Sequence, residues 1–151
     1  MAELAFRQES FTALRPELEP LFERHWREVA LNQDTVPLDP DWDSYAVMEA
    51  AGLYSMTTAR AGIMLVGYVG LIVSRALHYR TLLCAEPDLL WLAPEHRAGT
   101  AGLRLLKAAE SAVIALGVKR IGGRCKLHRD LDALFDRAGY QPIERVYAKM
   151  V

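Results

Sequence analysis

The spacing of apolar and polar residues changes period several times along the chain, and each change marks an element. Residues 3–7 alternate, the period of a short strand. From 10 to 32 the apolar residues Phe11, Leu14, Leu18, Leu21, Phe22, Trp26 and Val29 return at steps of three and four, which predicts an amphipathic helix. Pro16 and Pro20 lie inside it, where the ring removes an amide and crowds the preceding turn, so a break at one of them is expected. Residues 37–40 read as a loop. Asp41 then caps a short second helix that carries Tyr45, Val47, Met48 and Ala51 and stops at Gly52. Past Gly52 the period turns extended: residues 53–60, a turn at Ala61-Gly62 and residues 63–74 predict an antiparallel hairpin. Residues 81–85 and 88–92 continue the sheet around Glu86-Pro87, where a proline without a ladder donor implies a bulge or an edge. A helix follows over 102–117, with Leu105, Leu106, Ala109, Ala112, Val113 and Leu116 on one face and Gly117 at its end. Residues 118–125 read as a strand, 130–138 as a helix closed by Gly139, and 140–151 as a last strand. This order predicts an α/β (α+β) fold with a mixed sheet, in a single domain over 1–151.

Composition narrows the function. The 151 residues, 52% hydrophobic, supply a core for one domain and too little for two. Eighteen Lys and Arg against 19 Asp and Glu leave a net charge of -1, so no nucleic-acid partner is expected and no anionic membrane surface. The longest apolar stretch, 61–74, is too short to span a bilayer and is cut by Gly62, Gly67 and Gly70. Met1-Ala2-Glu3 lacks the basic start of a secretory or transit peptide. Cys84 and Cys125 fit no zinc spacing, and His25, His78, His96 and His128 place no ligand pair on one helical turn. No metal is expected, and a reducing cytoplasm is the expected compartment.

The most informative stretch is Leu89-Leu90-Trp91-Leu92-Ala93-Pro94-Glu95-His96-Arg97-Ala98-Gly99-Thr100-Ala101-Gly102, leading straight into a helix. Small residues from Ala98 to Gly102 let backbone amides converge, and the helix adds unsatisfied N–H groups and the positive end of its dipole, a geometry suited to phosphate. It matches neither a Walker A sequence nor GxGxxG, and it equally suits an ordinary strand-to-helix turn.

Pro94-Glu95-His96-Arg97, the small-residue turn ending at Gly102, Leu105-Leu106, Glu110 and Leu116-Gly117-Val118 together resemble the GCN5-related N-acetyltransferase superfamily, as does the element order over nearly the full chain. In that family's fingerprint of Arg or Gln, two residues, Gly, one residue, then Gly or Ala, Arg97 and Gly102 match, Thr100 replaces the middle glycine, and Gly99 sits one place early. Phe135-Asp136-Arg137-Ala138-Gly139-Tyr140 resembles the second signature. The chain is also similar to small acetyltransferase-like proteins of bacteriophage genomes, which would place it in a host cytoplasm. The resemblance implies a mostly antiparallel central sheet flanked by helices, acetyl-coenzyme A as co-substrate, an amine acceptor that is a small molecule or a protein, and room for a homodimer. It implies a pantetheine arm along Leu90, Trp91 and Leu92, a pyrophosphate on the amides of Ala98, Gly99, Thr100, Ala101, Gly102 and Leu103 with Arg97 opening the loop, and a cofactor contact at His128, which reads equally as a surface or capping histidine.

Acyl transfer to an amine calls for a base, an oxyanion donor and an acid. The family's usual acid, a Tyr before Gly139, is here Phe135, and a frequent base position, a Glu on the strand after the cofactor helix, is Gly123. Glu86 and Asp88 remain, two residues apart, facing one side of an extended chain. Asp88, past Pro87, is the favoured base, with solvated carboxylates the competing reading. Tyr140 and Tyr147 are offered as acids, or as core aromatics. In the family, residues 38–53 wall the acceptor pocket. Here they carry Asp39, Asp41, Asp43 and Glu49 with no Lys or Arg, which suits either a cationic amine or helix capping. The alternative function is a catalytically silent acetyl-coenzyme A binder or protein-interaction module on the same fold.

Overall fold

The computed structural model describes residues 3–151; Met1 and Ala2, where the reading of the leader begins, lie outside the described residues. The elements run β1 (Leu4–Gln8), α1 (Phe11–Val29), α2 (Trp42–Ala50), β2 (Tyr54–Ala61), β3 (Met64–Ala76), β4 (Tyr79–Leu92), α3 (Ala101–Ala115), β5 (Arg120–Ile121) and α4 (Asp132–Ala138). The five strands form one sheet in sequence order, antiparallel from β1 to β4 and parallel between β4 and β5. The fold is therefore mixed α/β with a mostly antiparallel sheet flanked by helices, as expected. Alternation along β2 assigns the layers. Tyr54 packs on Phe11 of α1 and Tyr45 of α2, while Thr57, three residues on, lines a cavity with Ala108, Ser111 and Ala112 of α3. No described helix is long and apolar enough to cross a membrane.

α1 runs unbroken through Pro16 and Pro20, correcting the expected break. Each proline forfeits a backbone hydrogen bond, but Phe11, Leu14, Leu18 and Phe22, on both sides of the prolines, are buried along one stripe and keep the helix continuous. Ser10 caps it by accepting from the Ala13 amide, and Glu49 of α2 adds a second cap by accepting from the Phe11 and Thr12 amides at 2.5 and 3.2 Å. That cap fastens α2 across the start of α1.

β4 is a single strand through Glu86-Pro87, with the implied bulge inside it: Gly70 faces Leu89 and Leu71 faces Pro87, leaving Asp88 as the extra residue. The bulge inverts the backbone's direction. Before it, the carbonyls of Leu83 and Ala85 accept from the amides of Lys119 and Gly122 on the β5 side. After it, the Ala93 amide donates to Val66 of β3 at 2.8 Å, so that Leu90 is turned away from β3. Pro87, the next outward residue after Ala85, has no amide to extend the parallel ladder, and pairing with β5 ends there. The two strands diverge from this point.

Two expectations at the C-terminal side are corrected. The strand expected over 118–125 shrinks to Arg120–Ile121, because the chain leaves the ladder at Gly122, which lies against the side chains of Glu86 and Pro87. The last strand expected over 140–151 does not form. Its neighbour would be the two-residue β5, Pro142 withdraws an amide, and Glu144, Arg145 and Lys149 spoil the alternation.

Between α1 and the sheet, the His25 ring stacks on Trp91 at 6.0 Å and lies 3.1 Å from the Tyr68 hydroxyl. Burial holds its pKa down at about 4 from the ordinary 6.5, outweighing the Glu28 charge that pulls it up. As pH falls from 6.5 toward 4, the unfolded chain takes up a proton that the folded chain refuses, so stability present above 6.5 is lost, by up to about 3 kcal/mol. Calorimetric Tm values for His25→Gln should decline less steeply across that window than those of the wild type.

Candidate functional site

The bulge turns the Asp88 carboxylate toward the α1–α2 layer. Its Oδ2 accepts one hydrogen bond from Tyr45 of α2 and another from Tyr54 at the start of β2, each 2.8 Å long. Among the described residues Oδ1 takes no hydrogen bond, which leaves it free to meet a donor from outside. Burial, then the charge of Asp88, pushes both phenols far above their ordinary range, so they remain protonated donors throughout the physiological range. The pair depends on a glycine. A Cβ at Gly70 would coincide with the Tyr54 hydroxyl, so only glycine leaves room for that phenol to reach the bulge. Sequence reasoning missed Tyr45 and Tyr54, and the interior glycine opposite the bulge was the signal that a side chain needed the space.

Glu86 sits opposite Ile72, itself opposite Tyr54, which places it in the Tyr54 row of the sheet. It meets different partners from Asp88, namely Arg120 at 3.8 Å and Arg124 at 3.7 Å. Tyr140 is carried elsewhere: its buried hydroxyl ends beside Glu110 of α3, and burial raises its pKa. Tyr147 is 84% exposed and is not one of the two tyrosines that donate to Asp88. Gly123 and Phe135 pack against each other so closely that a Cβ at Gly123 would lie 2.7 Å from the ring. A side chain at 123 would thus force the Phe135 ring to shift.

The turn after β4 leads straight into α3. Gly99 adopts φ +63°, a left-handed conformation that side chains rarely tolerate, and Thr100 starts α3 without a side-chain cap. Ala101 donates a long 3.4 Å bond to Ala98, and the Arg104 amide reaches Thr100 at 2.9 Å. Among the described residues the amides of Gly102 and Leu103 find no protein acceptor, so they stand at the positive end of α3 available to an anion. Close by, Leu90 presents its peptide to the gap where β4 and β5 part, while Trp91 and Leu92 are buried beneath.

Arg97 faces inward from the loop it opens. Its Nε donates to the Leu92 carbonyl at 2.7 Å and its two terminal nitrogens each lie 2.7 Å from Glu28 at the end of α1. Trp91 Nε1 donates to the same carboxylate at 2.9 Å, and the Arg97 hydrogen bonds, with help from Trp91, hold the Glu28 pKa down at about 2 despite burial. His128 stands exposed in the turn before Arg129, whose guanidinium lies 3.7 Å from Glu28.

The acidic segment 38–53 divides by use. Asp41 caps α2 by accepting from the Ser44 amide at 2.9 Å, and Glu49 caps α1, which leaves Asp39 and Asp43 without hydrogen bonds among the described residues. Beside them an open cavity of about 410 Å³ is lined by Phe22, Trp26, Trp42, Leu38, Glu19 and Glu23.

No protein-family model matches this sequence, and no curated protein sequence does. Solved structures match it along nearly its whole length. A GCN5-related N-acetyltransferase from Ralstonia eutropha JMP134 superposes with a TM-score of 0.78 at 19% identity, covering 98% of this chain and 99% of that one. The chain has the GCN5-related N-acetyltransferase fold. A predicted acetyltransferase from Clostridium acetobutylicum, solved with acetyl-coenzyme A, shares that fold at TM-score 0.73 and 9% identity, over 98% of this chain and 96% of that one. So does an aminoglycoside acetyltransferase from an uncultured soil metagenomic sample, in complex with sisomicin, at TM-score 0.72 and 14% identity, over 98% and 97% of the two chains.

Proposed function

We propose that the protein is an N-acetyltransferase that moves an acetyl group from acetyl-coenzyme A to a primary amine by direct attack. The observation that carries this reading is the conjunction, on one strand, of a carboxylate held by two phenols and an unpaired Leu90 peptide leading to free amides at a helix start. The neighbour solved with acetyl-coenzyme A and the aminoglycoside acetyltransferase support the two substrate classes at the level of the fold. The donor supplies an acyl carbon activated by a thiolate leaving group. The residues present fit it: Leu90 lends backbone hydrogen bonds to an extended arm, and the amides of Gly102 and Leu103, with those of Ala98, Gly99, Thr100 and Ala101 around them, receive the pyrophosphate. Asp88 Oδ1 takes a proton from the ammonium to free the nitrogen lone pair, while Tyr45 and Tyr54 keep the carboxylate aimed. As the C–N bond forms the C–S bond breaks, and the departing coenzyme A thiolate takes up the second proton shed by the nitrogen. Asp39 and Asp43 raise the local concentration of cationic amines beside the cavity.

Mass spectrometry of reaction mixtures tests this. Incubation with acetyl-coenzyme A should yield N-acetylated product from polyamines, aminoglycosides or lysine peptides in preference to neutral aromatic amines. A preference for uncharged amines, insensitive to salt, would contradict the acceptor class.

A further inference from the structure

β4 and β5 part company after Ala85 and Ile121, and their continuations meet again at one side chain that belongs to neither. Arg97, beyond β4, grips Glu28 with both terminal nitrogens at 2.7 Å; Arg129, beyond β5, brings its Nη1 to 3.7 Å from the same carboxylate and donates from Nε to the Glu28 carbonyl at 3.4 Å. Glu28 itself is fixed from below by Trp91 Nε1 and is only 13% exposed, whereas Arg97 and Arg129 are 38% and 50% exposed. One buried anion thus ties the last turn of α1 to both margins of the gap. We propose that Glu28 is a positioning residue for coenzyme binding: through Arg97 it sets the pose of the 98–103 turn, and through Arg129 it sets how far the turn after β5 stands from it. This rests on the coenzyme reading given above. It also gives Arg97 a structural part in the turn, because each of its three guanidinium nitrogens meets a protein oxygen.

The chemistry makes the carboxylate's charge the active property. A bidentate guanidinium–carboxylate pair fixes angle as well as distance. A neutral amide of the same size could still accept from Trp91 and fill the same volume, yet it would hold Arg97 by at most one ordinary hydrogen bond. The loop that follows has little else to pin it: Ala98, Gly99 and Thr100 are exposed, and Thr100 makes no side-chain cap.

Glu28→Gln is therefore the first variant, with Arg97→Gln, the double variant and Arg129→Gln beside it. Calorimetric titration with coenzyme A should show Kd raised about tenfold in Glu28→Gln and in Arg97→Gln, and no further in the double variant, since the two act through one contact. In turnover assays the loss should fall on KM for acetyl-coenzyme A and spare kcat at saturation. Amide exchange of the unliganded proteins supplies a readout that needs no ligand: the hydrogen-bonded amides that bracket the turn, those of Arg97, Ala101 and Arg104, should exchange faster in Glu28→Gln than in the wild type, with β2 and β3 unchanged. Arg129→Gln removes a half-exposed side chain and keeps the fold, and its Kd should rise about threefold. Additive Kd losses in the double variant, or unaltered exchange at Arg97, Ala101 and Arg104, would overturn the proposal. A wild type that fails to bind coenzyme A would overturn the coenzyme reading, and the exchange data would still decide the role of Glu28.

Discussion

Asp88→Asn should lower turnover by about 10²- to 10³-fold while acetyl-coenzyme A binds as before, the range typical of removing one positioned proton acceptor. The amide keeps the size of the carboxylate, and its oxygen can still accept from Tyr45 and Tyr54, so the bulge and the helix docking survive. What disappears is the free oxygen that takes the amine proton, since the amide nitrogen turned toward the acceptor is a donor. Glu86→Gln should have a smaller effect, because Glu86 faces Arg120 and Arg124 and neither phenol. Steady-state kinetics with titration calorimetry on the same samples separates the two parameters. Wild-type kinetics in the Asp88→Asn, Glu86→Gln double variant would mean that the amine loses its proton to water.

Gly102→Asp should weaken acetyl-coenzyme A binding by about 100-fold or more and should leave the fold as stable as before or more so. The two effects have opposite signs for one reason. A carboxylate in the first turn of α3 satisfies the helix dipole that a phosphate would otherwise meet, and it repels that phosphate. The protein has space for the side chain, since the nearest atom to a Cβ there is Leu134 Cδ1 at 4.0 Å. Thermal unfolding and titration of the same variant therefore distinguish loss of a binding site from loss of structure. A lowered Tm with unchanged affinity would remove the turn from the coenzyme site.

Local signals carried the hairpin, the caps at Asp41 and Gly139, the amphipathic third helix and the small-residue turn, because each is decided by a few adjacent residues. The bulge at Pro87 was legible for the same reason, a missing donor in a strand. The site's decisive contacts were not. Tyr45 and Tyr54 lie 43 and 34 residues from Asp88, and only the docking of α2 across β2 brings them to one oxygen. Arg97 was legible as the residue that opens the turn, but its partner Glu28, 69 residues away, was not. α1 outlasts its prolines because the sheet buries the stripe that spans them, a tertiary effect that propensity does not contain. At the other extreme, residues 140–151 have strand-like composition and no adequate neighbour to pair with.

The central claim, acyl transfer rather than binding alone, is tested most directly by the rate at which free coenzyme A thiol is released from acetyl-coenzyme A by the wild-type protein, with and without a cationic amine. The account predicts release that saturates with amine concentration and collapses in Asp88→Asn. Tight binding of acetyl-coenzyme A with no amine-dependent release, across polyamines, aminoglycosides and lysine peptides, would contradict it and mark the protein as a silent binder on the same fold.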